Sequence, residues 1–273
     1  MRLSFNGATT MRADLATDIR AASAAGFDCL EVWAAKLKDF LKSHTTEDLK
    51  SLFEEYKLEP YSINSIEQIT FRDSIGRAAL IAECRDMCRI ASAIACPYIV
   101  VVPGRKPPES ERAHVSEETV SVLSELSYIA EAYGVSLAFE FLGQAGCSVQ
   151  TLDLAHEIIE RVGRADVGLV IDSFHFYAGG SSIESIESLD PERLFIFHIN
   201  DAEDMPRDEL EDRHRLLPGL GILPLREIIS ALRAIGYDRV MSIEIFRPEY
   251  WDRDPYDLAR DAHAAALNVS GIR

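Results

Sequence analysis

Four ionisable side chains stand near the ends of four successive apolar segments in the second half of the chain. Burying a single ionised group without a partner costs several kcal/mol, so four such positions in apolar surroundings need a common partner. A divalent cation would balance the charge of the three carboxylates and accept the imidazole nitrogen as a fourth ligand. The pattern therefore predicts one metal site, formed by Glu140, Asp172, His198 and Glu244.

The donor atoms limit which metals such a site accepts. Three carboxylates and one imidazole make a mixed, fairly hard site that suits one divalent metal ion (Mn, Co, Zn or Mg), and the sequence does not choose among these. No cysteine belongs to the set, which argues against a thiolate-rich zinc site. Any one of the carboxylates alone could instead be a buried acid bonded to backbone N–H groups or to an arginine, so the prediction depends on all four.

Residues on the connections beside these segments could contact a substrate. His175 comes directly after the second segment, and Arg215 lies in a long connection, 201–223, that contains Pro and Gly residues. Long loops of this kind often carry function. We predict substrate binding by four residues on these connections, namely His175, Arg215, Arg247 and Trp251. Each of them has an ordinary alternative as a surface or packing residue.

A short apolar, β-branched run followed by a longer amphipathic stretch recurs along the 273 residues. Strict alternation of strand and helix is typical of a parallel sheet covered by helices. Eight repeats of about 34 residues fit a closed barrel better than an open sheet, and chemistry in such barrels lies at the carboxyl ends of the strands. We therefore predict one α/β domain over residues 1–273, a single (β/α)8 TIM barrel. The predicted strands are Leu3–Asn6, Cys29–Trp33, Pro60–Asn64, Tyr98–Pro103, Ser136–Phe141, Gly168–Ser173, Leu194–Asn200 and Val240–Phe246.

Composition and charge exclude several classes of partner. The net charge is −17, with 47% hydrophobic and 27% charged residues, which argues against nucleic acid and against an anionic membrane surface. No apolar run approaches the ~20 residues that span a bilayer, and the first residues lack the apolar core of a signal peptide. The five cysteines are unclustered, which suits free thiols in a reducing compartment. We therefore expect a cytoplasmic protein.

Glycine-rich nucleotide-binding motifs do not follow any of the predicted strands. The patterns G-x-G-x-x-G and G-x-x-x-x-G-K-[ST] are both missing from the sequence, which argues against dinucleotide and nucleoside-triphosphate cofactors. A site with one cation and several carboxylates can do chemistry without either cofactor, because the cation can polarise a bound oxygen and a carboxylate can transfer a proton.

Five segments carry a resemblance to a known family: Phe5–Thr10, Val122–Leu126, Asp172–Phe176, Phe197–Asp201 and Ser242–Tyr250. They resemble the xylose isomerase-like barrels of the sugar phosphate isomerase/epimerase superfamily and, within them, the bacterial inosose isomerases (2-keto-myo-inositol isomerases). The similarity extends over essentially the whole chain. The metal ligands belong to the entire superfamily, whereas the segments DSFHF (172–176) and FRPEY (246–250) are narrower signals.

The resemblance implies roles for individual residues. The four predicted ligands match the divalent-metal ligands of the family, and in related ketose epimerases the two glutamates exchange the substrate proton from opposite faces. We assign the base to Glu140 or Glu244, with His175 assisting hydroxyl proton transfer. One position departs from the family, because Gly7 stands where the inosose isomerases lead us to expect an acidic residue.

The resemblance also implies a reaction, namely metal-dependent isomerisation or epimerisation of a cyclic ketose or inosose through an enediolate. We expect an inosose isomerase of inositol catabolism that acts on a small-molecule sugar or cyclitol ketone, and a homo-oligomer is left open. Alternatives on the same site are a ketose 3-epimerase, a hydroxypyruvate-type isomerase and an inosose dehydratase. More remote alternatives are an apurinic endonuclease-like barrel, which would need extra histidines on earlier strands, and a non-catalytic sugar-binding barrel.

Overall fold

Eight parallel strands close into a barrel in the computed structural model, which describes residues 1–271. Two further strands, β8 and β9, form a separate antiparallel pair. The closed barrel confirms the predicted (β/α)8 TIM fold, although residues 272 and 273 of the predicted domain lie outside the described residues. The strands are β1 (Arg2–Asn6), β2 (Cys29–Trp33), β3 (Glu59–Ile66), β4 (Tyr98–Val101), β5 (Ser136–Glu140), β6 (Val167–Asp172), β7 (Leu194–Ile199), β8 (Asp201–Ala202), β9 (Arg215–Leu216) and β10 (Val240–Ile243).

Helices follow the barrel strands and cover the outside of the barrel. They are α1 (Leu15–Ala25), α2 (Ala34–Phe40), α3 (Thr46–Tyr56), α4 (Ser74–Ala93), α5 (Arg112–Glu131), α6 (Leu152–Val162), α7 (Ser173–Ala178), α8 (Ile183–Glu187), α9 (Leu225–Ala234), α10 (Pro248–Trp251) and α11 (Pro255–Ser270). None of the described helices is long and apolar enough to cross a bilayer.

Short polar signals set where the helices begin and end. Asp14 accepts a hydrogen bond from the backbone N–H of Thr17 at the start of α1, and Thr45 and Asp48 form a reciprocal capping box at the start of α3. These contacts satisfy N–H groups that the first helical turn leaves free. Gly26 ends α1 with a φ of 93°, a left-handed conformation that a β-carbon would resist.

Apolar side chains pack on both faces of the barrel strands. The larger core lies between strands and helices, and a smaller cluster fills the barrel interior. The interior cluster includes Cys29, Val100, Ala138, Val170 and Ile196, all fully buried. The barrel is therefore packed rather than hollow, as is usual for this fold, and polar groups collect at its carboxyl end.

The connection between β7 and α9 is more ordered than the simple loop that the sequence predicts. Its first residues, β8, pair with β9 farther along the same connection, with Ala202 opposite Arg215. The Asp201 carboxylate accepts backbone N–H groups of Gly219 and Leu223, each at 2.9 Å. This pairing returns the middle of the segment to the barrel mouth.

Six of the eight barrel strands also end at a residue other than the predicted one, and the ends of β10 and β6 concern candidate metal ligands. The last barrel strand, β10, ends at Ile243, so Glu244 lies one residue beyond it. The strand β6 ends at Asp172, and Ser173 begins α7 instead of ending the strand. Both ionisable residues nevertheless stay at the carboxyl end of the barrel.

Candidate metal centre and active site

The four predicted metal ligands meet at the carboxyl end of the barrel. Their ligand atoms lie within 4.8 Å of one another, and all four residues are buried. His198 Nδ1 lies 3.1 Å from Glu140 Oε1 and 3.3 Å from Glu244 Oε2. The distance from Nδ1 to Asp172 Oδ2 is 3.9 Å. Three carboxylates and one imidazole nitrogen in this arrangement could hold one metal ion.

Asp172 ends β6 and caps α7 at the same time. Its Oδ1 accepts the backbone N–H groups of Phe174 at 2.7 Å and His175 at 3.0 Å, which is the usual role of an N-cap aspartate. Its Oδ2 accepts hydrogen bonds from Asn200 Nδ2 at 3.0 Å and Arg215 Nη1 at 2.6 Å. Because both oxygens have donors, the carboxylate has a fixed orientation.

Glu244 is held by donors from three other segments. Its Oε1 accepts hydrogen bonds from Asn6 Nδ2 at 3.0 Å and Asn64 Nδ2 at 2.8 Å. Its Oε2 accepts one from Arg215 Nη1 at 3.1 Å. The asparagines belong to β1 and β3 and the arginine to β9, so the barrel fold itself brings these donors together.

Glu140, the last residue of β5, has a freer carboxylate. Its Oε1 contacts His198 Nδ1 at 3.1 Å. No residue in the described range donates a hydrogen bond to its Oε2. Glu140 and Glu244 both line the cavity beside the cluster. A molecule bound there would therefore meet two carboxylates with different hydrogen-bond partners.

Burial and close charges shift the pKa values of the cluster in opposite directions. Burial raises the pKa of Glu140 to about 8 against the opposing effect of His198, and burial also raises the pKa of Glu244. Burial would raise the pKa of Asp172 too, but the Arg215 guanidinium and two histidines hold it well below its usual range. The carboxylates raise the pKa of His198 well above its usual value, although burial opposes them.

This charge pattern fits a divalent metal ion. Three acidic groups around one imidazole are unfavourable unless a positive charge balances them. In the metal-free protein Arg215 and a proton on His198 supply positive charge, and coordination requires Nδ1 to lose that proton. The residues present therefore suit one ion with three oxygen donors and one nitrogen donor.

A cavity of about 170 Å³ opens beside the cluster. Trp33 and Phe246 form an apolar wall, with 5.5 Å between their ring centroids. Two further carboxylates, Glu67 and Asp212, line the cavity, and Arg215 is the single arginine or lysine among its described lining residues. The cavity is therefore small, and most of its charged lining residues are acidic.

Arg215 is buried, at 1% exposure, although the sequence places it in a long loop. Its guanidinium lies between the rings of Phe174 and Phe246, 4.8 Å and 5.1 Å from their centroids, within the range of cation–π attraction. Its Nε and Nη2 contact Asp212 Oδ1 at 3.1 Å and 3.0 Å, and Nη1 contacts Asp172 and Glu244 as described above. The guanidinium is thus committed to protein partners.

His175 lies in the first turn of α7 instead of on the loop that the sequence suggests. Arg215 Nη2 lies 3.0 Å from its Nε2. Because a guanidinium can only donate, Nε2 is the acceptor and Nδ1 carries the proton. Nδ1 has no hydrogen-bond partner in the part of the chain that the structure describes. Burial lowers the pKa of His175 to about 4, so near pH 7 the ring is neutral and its Nδ1–H is a buried donor.

Arg247 and Trp251 lie near the barrel mouth but do not line the cavity. Arg247 forms ion pairs with Glu203 at 2.7 Å and Glu249 at 3.3 Å. Trp251 Nε1 donates to the backbone oxygen of Ala8 at 3.2 Å. The structure thus brings two of the four predicted substrate contacts, His175 and Arg215, to the cavity and gives the other two partners elsewhere.

Three polar residues around the cluster were not predicted as parts of a site. Asn6 and Asn64 hold Glu244, and Glu31 Oε1 lies 2.9 Å from His198 Nε2. Glu31 carries the signal that identified the others, since it is an ionisable residue within an apolar strand. The asparagines carry a weaker signal, because an uncharged amide in a strand is less costly to bury.

Gly7 occupies a position with no room for a side chain. A β-carbon there would lie 2.9 Å from Asp18 Oδ2 and 3.2 Å from Trp33 Cβ. The Gly7 carbonyl accepts a hydrogen bond from Lys36 Nζ at 2.9 Å, and Lys36 also pairs with Asp18 at 2.7 Å. An acidic residue at position 7 would meet the Asp18 carboxylate, so local packing accounts for the glycine.

Comparisons with family models, with curated proteins and with solved structures indicate the same family. The family model described as a xylose isomerase-like TIM barrel matches residues 19–267. The inosose isomerase of Halalkalibacterium halodurans is 37% identical over 98% of this chain and 96% of its own, and that of Bacillus subtilis is 38% identical over 98% of both chains. A crystal structure of the IolI protein with a bound zinc atom has a TM-score of 0.96 and 37% identity, covering 99% of this chain and 98% of the other. The chain therefore belongs to the xylose isomerase-like TIM barrel family.

Proposed function

We propose that this protein is a divalent-metal-dependent inosose isomerase, which moves the carbonyl group of a cyclitol ketone by one ring position. The observation that carries the proposal is the buried cluster of three carboxylates and one imidazole beside a small cavity. The substrate follows from relatives named inosose isomerase, which the chain matches over almost its whole length. A zinc atom bound to the related IolI protein supports a metal in this one.

The charges around the cavity favour a neutral polyhydroxy ketone. Glu67, Glu140, Asp212 and Glu244 line it, and Arg215 already directs its N–H groups at protein partners. A substrate carboxylate or phosphate would find no uncommitted arginine or lysine among the described lining residues. This argues for a sugar or cyclitol ketone and against a hydroxypyruvate-type isomerase.

A divalent ion held by Glu140, Asp172, His198 and Glu244 would act as a Lewis acid on the ketone and a neighbouring hydroxyl. The protein supplies the proton transfer. We assign the first C–H deprotonation to Glu140, because a carboxylate oxygen without hydrogen-bond donors is the more basic one. Glu244, with donors on both oxygens, is the weaker base of the two.

His175 and the aromatic wall would orient the substrate. The Nδ1–H of His175 has no protein partner among the described residues, so we assign it a hydrogen bond to a substrate oxygen. The faces of Trp33 and Phe246 would pack against ring C–H groups and keep water from the reacting carbons. His175 then acts as a donor that positions the substrate.

Deuterium incorporation from heavy water tests the proposed function. We expect the metal-loaded enzyme to place deuterium beside the carbonyl of an inosose and to yield an isomeric inosose. Activity should disappear after chelation and return with Mn, Co or Zn, with no response to nicotinamide cofactors. If the metal-loaded enzyme exchanges deuterium into none of the inososes tested, the proposal is contradicted.

A ketose 3-epimerase is the second candidate, because the same two glutamates lie beside one cavity. Ketohexoses run in the same exchange assay separate the two functions. Exchange and epimer formation with ketohexoses, without reaction of inososes, would favour the epimerase. Loss of water from an inosose, measured by mass spectrometry, would instead indicate a dehydratase.

We further infer a reducing, cytoplasmic setting. All five cysteines lie within the described residues and are free thiols, and Cys84 and Cys88 remain unpaired although their sulfurs are 3.9 Å apart. Structural disulfides are common in oxidising compartments. Fractionation of the native organism checks this inference.

A further inference from the structure

The barrel interior carries a second polar layer beneath the candidate metal cluster. Strand pairing places Ser4 beside Ser242 and Ser242 beside His198. On the neighbouring strands β2 and β3, Glu31 pairs with Ser62. Bulky branched residues usually fill the interior of such barrels. Burying a carboxylate in this layer is costly unless hydrogen bonds or a positive charge compensate it.

Glu31 is fixed within this layer by residues from three strands. Its Oε1 lies 2.9 Å from His198 Nε2 on β7. Its Oε2 accepts the hydroxyl of Ser62 on β3 at 2.5 Å. Asn6 Nδ2 on β1 lies 3.4 Å from Glu31 Oε1 and 3.0 Å from Glu244 Oε1, so it connects the two layers. The Glu31 side chain is fully buried.

The two ring nitrogens of His198 therefore face different carboxylates. Nδ1 faces the candidate metal ligands, whereas Nε2 faces Glu31. Nε2 makes no well-aligned hydrogen bond with any described residue, so the carboxylate 2.9 Å away is the partner available to it. A metal-binding histidine commonly gives its second N–H to a carboxylate, which fixes the ring and makes the coordinating nitrogen more basic.

We propose that Glu31 is a positioning residue of the metal centre, which holds the Nε2–H of His198 so that Nδ1 presents its lone pair to the ion. Glu31 acts through His198, because it does not line the cavity and is not part of the four-residue ligand group. The inference rests on the metal site of the proposed function and adds a fifth side chain on which its affinity depends.

The test compares E31Q with D18N. Gln keeps the size of Glu31 and one acceptor oxygen but removes the negative charge. Asp18 is a matched control, since it is also fully buried but pairs with Lys36 and Thr10 instead of His198. In competition with a chromophoric chelator, we expect E31Q to bind Zn²⁺ roughly 10–100-fold more weakly than wild type, and D18N to bind it as wild type does.

The visible absorption of the Co²⁺-loaded protein gives a readout that a loss of stability would not change. We expect altered band positions or intensities in E31Q and an unchanged spectrum in D18N, even if both variants melt at lower temperature. If E31Q does not fold, S62A provides the comparison, because it removes only the hydroxyl that donates to Glu31 Oε2. Its expected loss of Zn²⁺ affinity is smaller and in the same direction.

The outcomes separate this inference from the proposed function. A folded E31Q with wild-type Zn²⁺ affinity and an unchanged Co²⁺ spectrum would overturn the role of Glu31 and leave the isomerase proposal intact. Should S62A serve as the variant, unchanged affinity there would overturn it equally. Wild-type protein that binds no divalent ion would overturn the metal-dependent function and this inference together. None of these measurements needs a substrate.

Discussion

At the scale of single residues, the hydrogen bonds of a carboxylate decide whether it can act as a base. Glu244 accepts donors on both oxygens, from Asn6, Asn64 and Arg215. Glu140 has a contact on one oxygen only among the described residues. Hydrogen bonds to the ionised form make a carboxylate less basic, so the two glutamates should contribute unequally to proton transfer.

E140Q should therefore abolish solvent proton exchange into the substrate even when the metal site is full. Gln keeps an oxygen that can coordinate but cannot accept the substrate proton, and loss of a general base typically costs about 10²–10⁴-fold in rate. The measurement is the exchange rate at saturating metal, with metal content determined separately. E244Q serves as the comparison, because we expect a smaller loss at equal occupancy. A fully loaded E140Q that exchanges at the wild-type rate would move the base elsewhere, with Glu244 as the first candidate.

Metal binding should also release protons from the cluster. The carboxylates raise the pKa of His198 well above its usual value, and burial raises the pKa of Glu140 to about 8, so both groups carry protons at pH 7 in the metal-free protein. A cation must displace them, so the apparent affinity should fall as the pH decreases below about 8.

Calorimetric titrations in buffers with different ionisation enthalpies measure this release directly. We expect about one to two protons per bound Zn²⁺ at pH 7. H198A should release fewer, because the group that carries one of these protons is gone. A pH-independent affinity with no proton release would contradict the raised pKa values of both groups.

At the scale of elements, the segment 201–223 determines whether Arg215 reaches the site. The pairing of β8 with β9 sets Arg215 opposite Ala202, and the Asp201 carboxylate holds the far end of the segment through Gly219 and Leu223. Gly221 packs directly against β8. A β-carbon there would be 2.1 Å from the Ala202 oxygen and 2.6 Å from Asp201 Oδ1.

G221A should therefore displace the segment and reduce turnover. The blocking atoms are backbone and a held carboxylate, which cannot move aside easily. A shift of about 1 Å near a reacting group can cost about 10²-fold in rate. Limited proteolysis should show faster cleavage within the segment, with the melting temperature close to that of wild type. The control is L220A at the neighbouring residue, which is 64% exposed; equal turnover in both variants would contradict the argument.

The same elements show how far the sequence alone reaches. The eight strands recur as a repeat, and the four candidate ligands share a position near the strand ends, so periodicity predicts both. Burial of Arg215 depends on an antiparallel pair between two-residue strands at either end of a 12-residue loop, and no apolar periodicity in so short a pair predicts it. Arg247 and Trp251, which the sequence analysis expects to contact substrate, do not line the cavity for a related reason. Each side chain has a partner on another segment.

Glu31 illustrates a different limit of the sequence. An ionisable residue inside an apolar strand shows that a partner is needed but does not show which one. The partner follows from the barrel, which places β2 and β7 three strands apart around one interior and brings Glu31 within 2.9 Å of His198. Only the closed arrangement of strands distinguishes a ligand from a residue that holds a ligand.

At the scale of the whole molecule, the cluster joins four strands of the barrel. Its residues belong to β5, β6 and β7 or directly follow β10, and they share one end of the barrel. The unfolded chain does not bring these residues together, so ions bind the folded state preferentially. The binding free energy then adds to the free energy of unfolding.

Zn²⁺ should therefore raise the melting temperature of chelator-treated protein. At a free concentration of about 100 times Kd, binding adds about 2.7 kcal/mol, which corresponds to a shift of roughly 5–10 °C for a chain of this size. H198A should fold and lose most of this shift, because it removes the one nitrogen donor of the group. H44A, at an exposed histidine, should keep the full shift and so controls for zinc bound at surface imidazoles. The measurement is calorimetric unfolding with and without Zn²⁺, and an equal shift in wild type and H198A would mean that zinc stabilises the protein at another place.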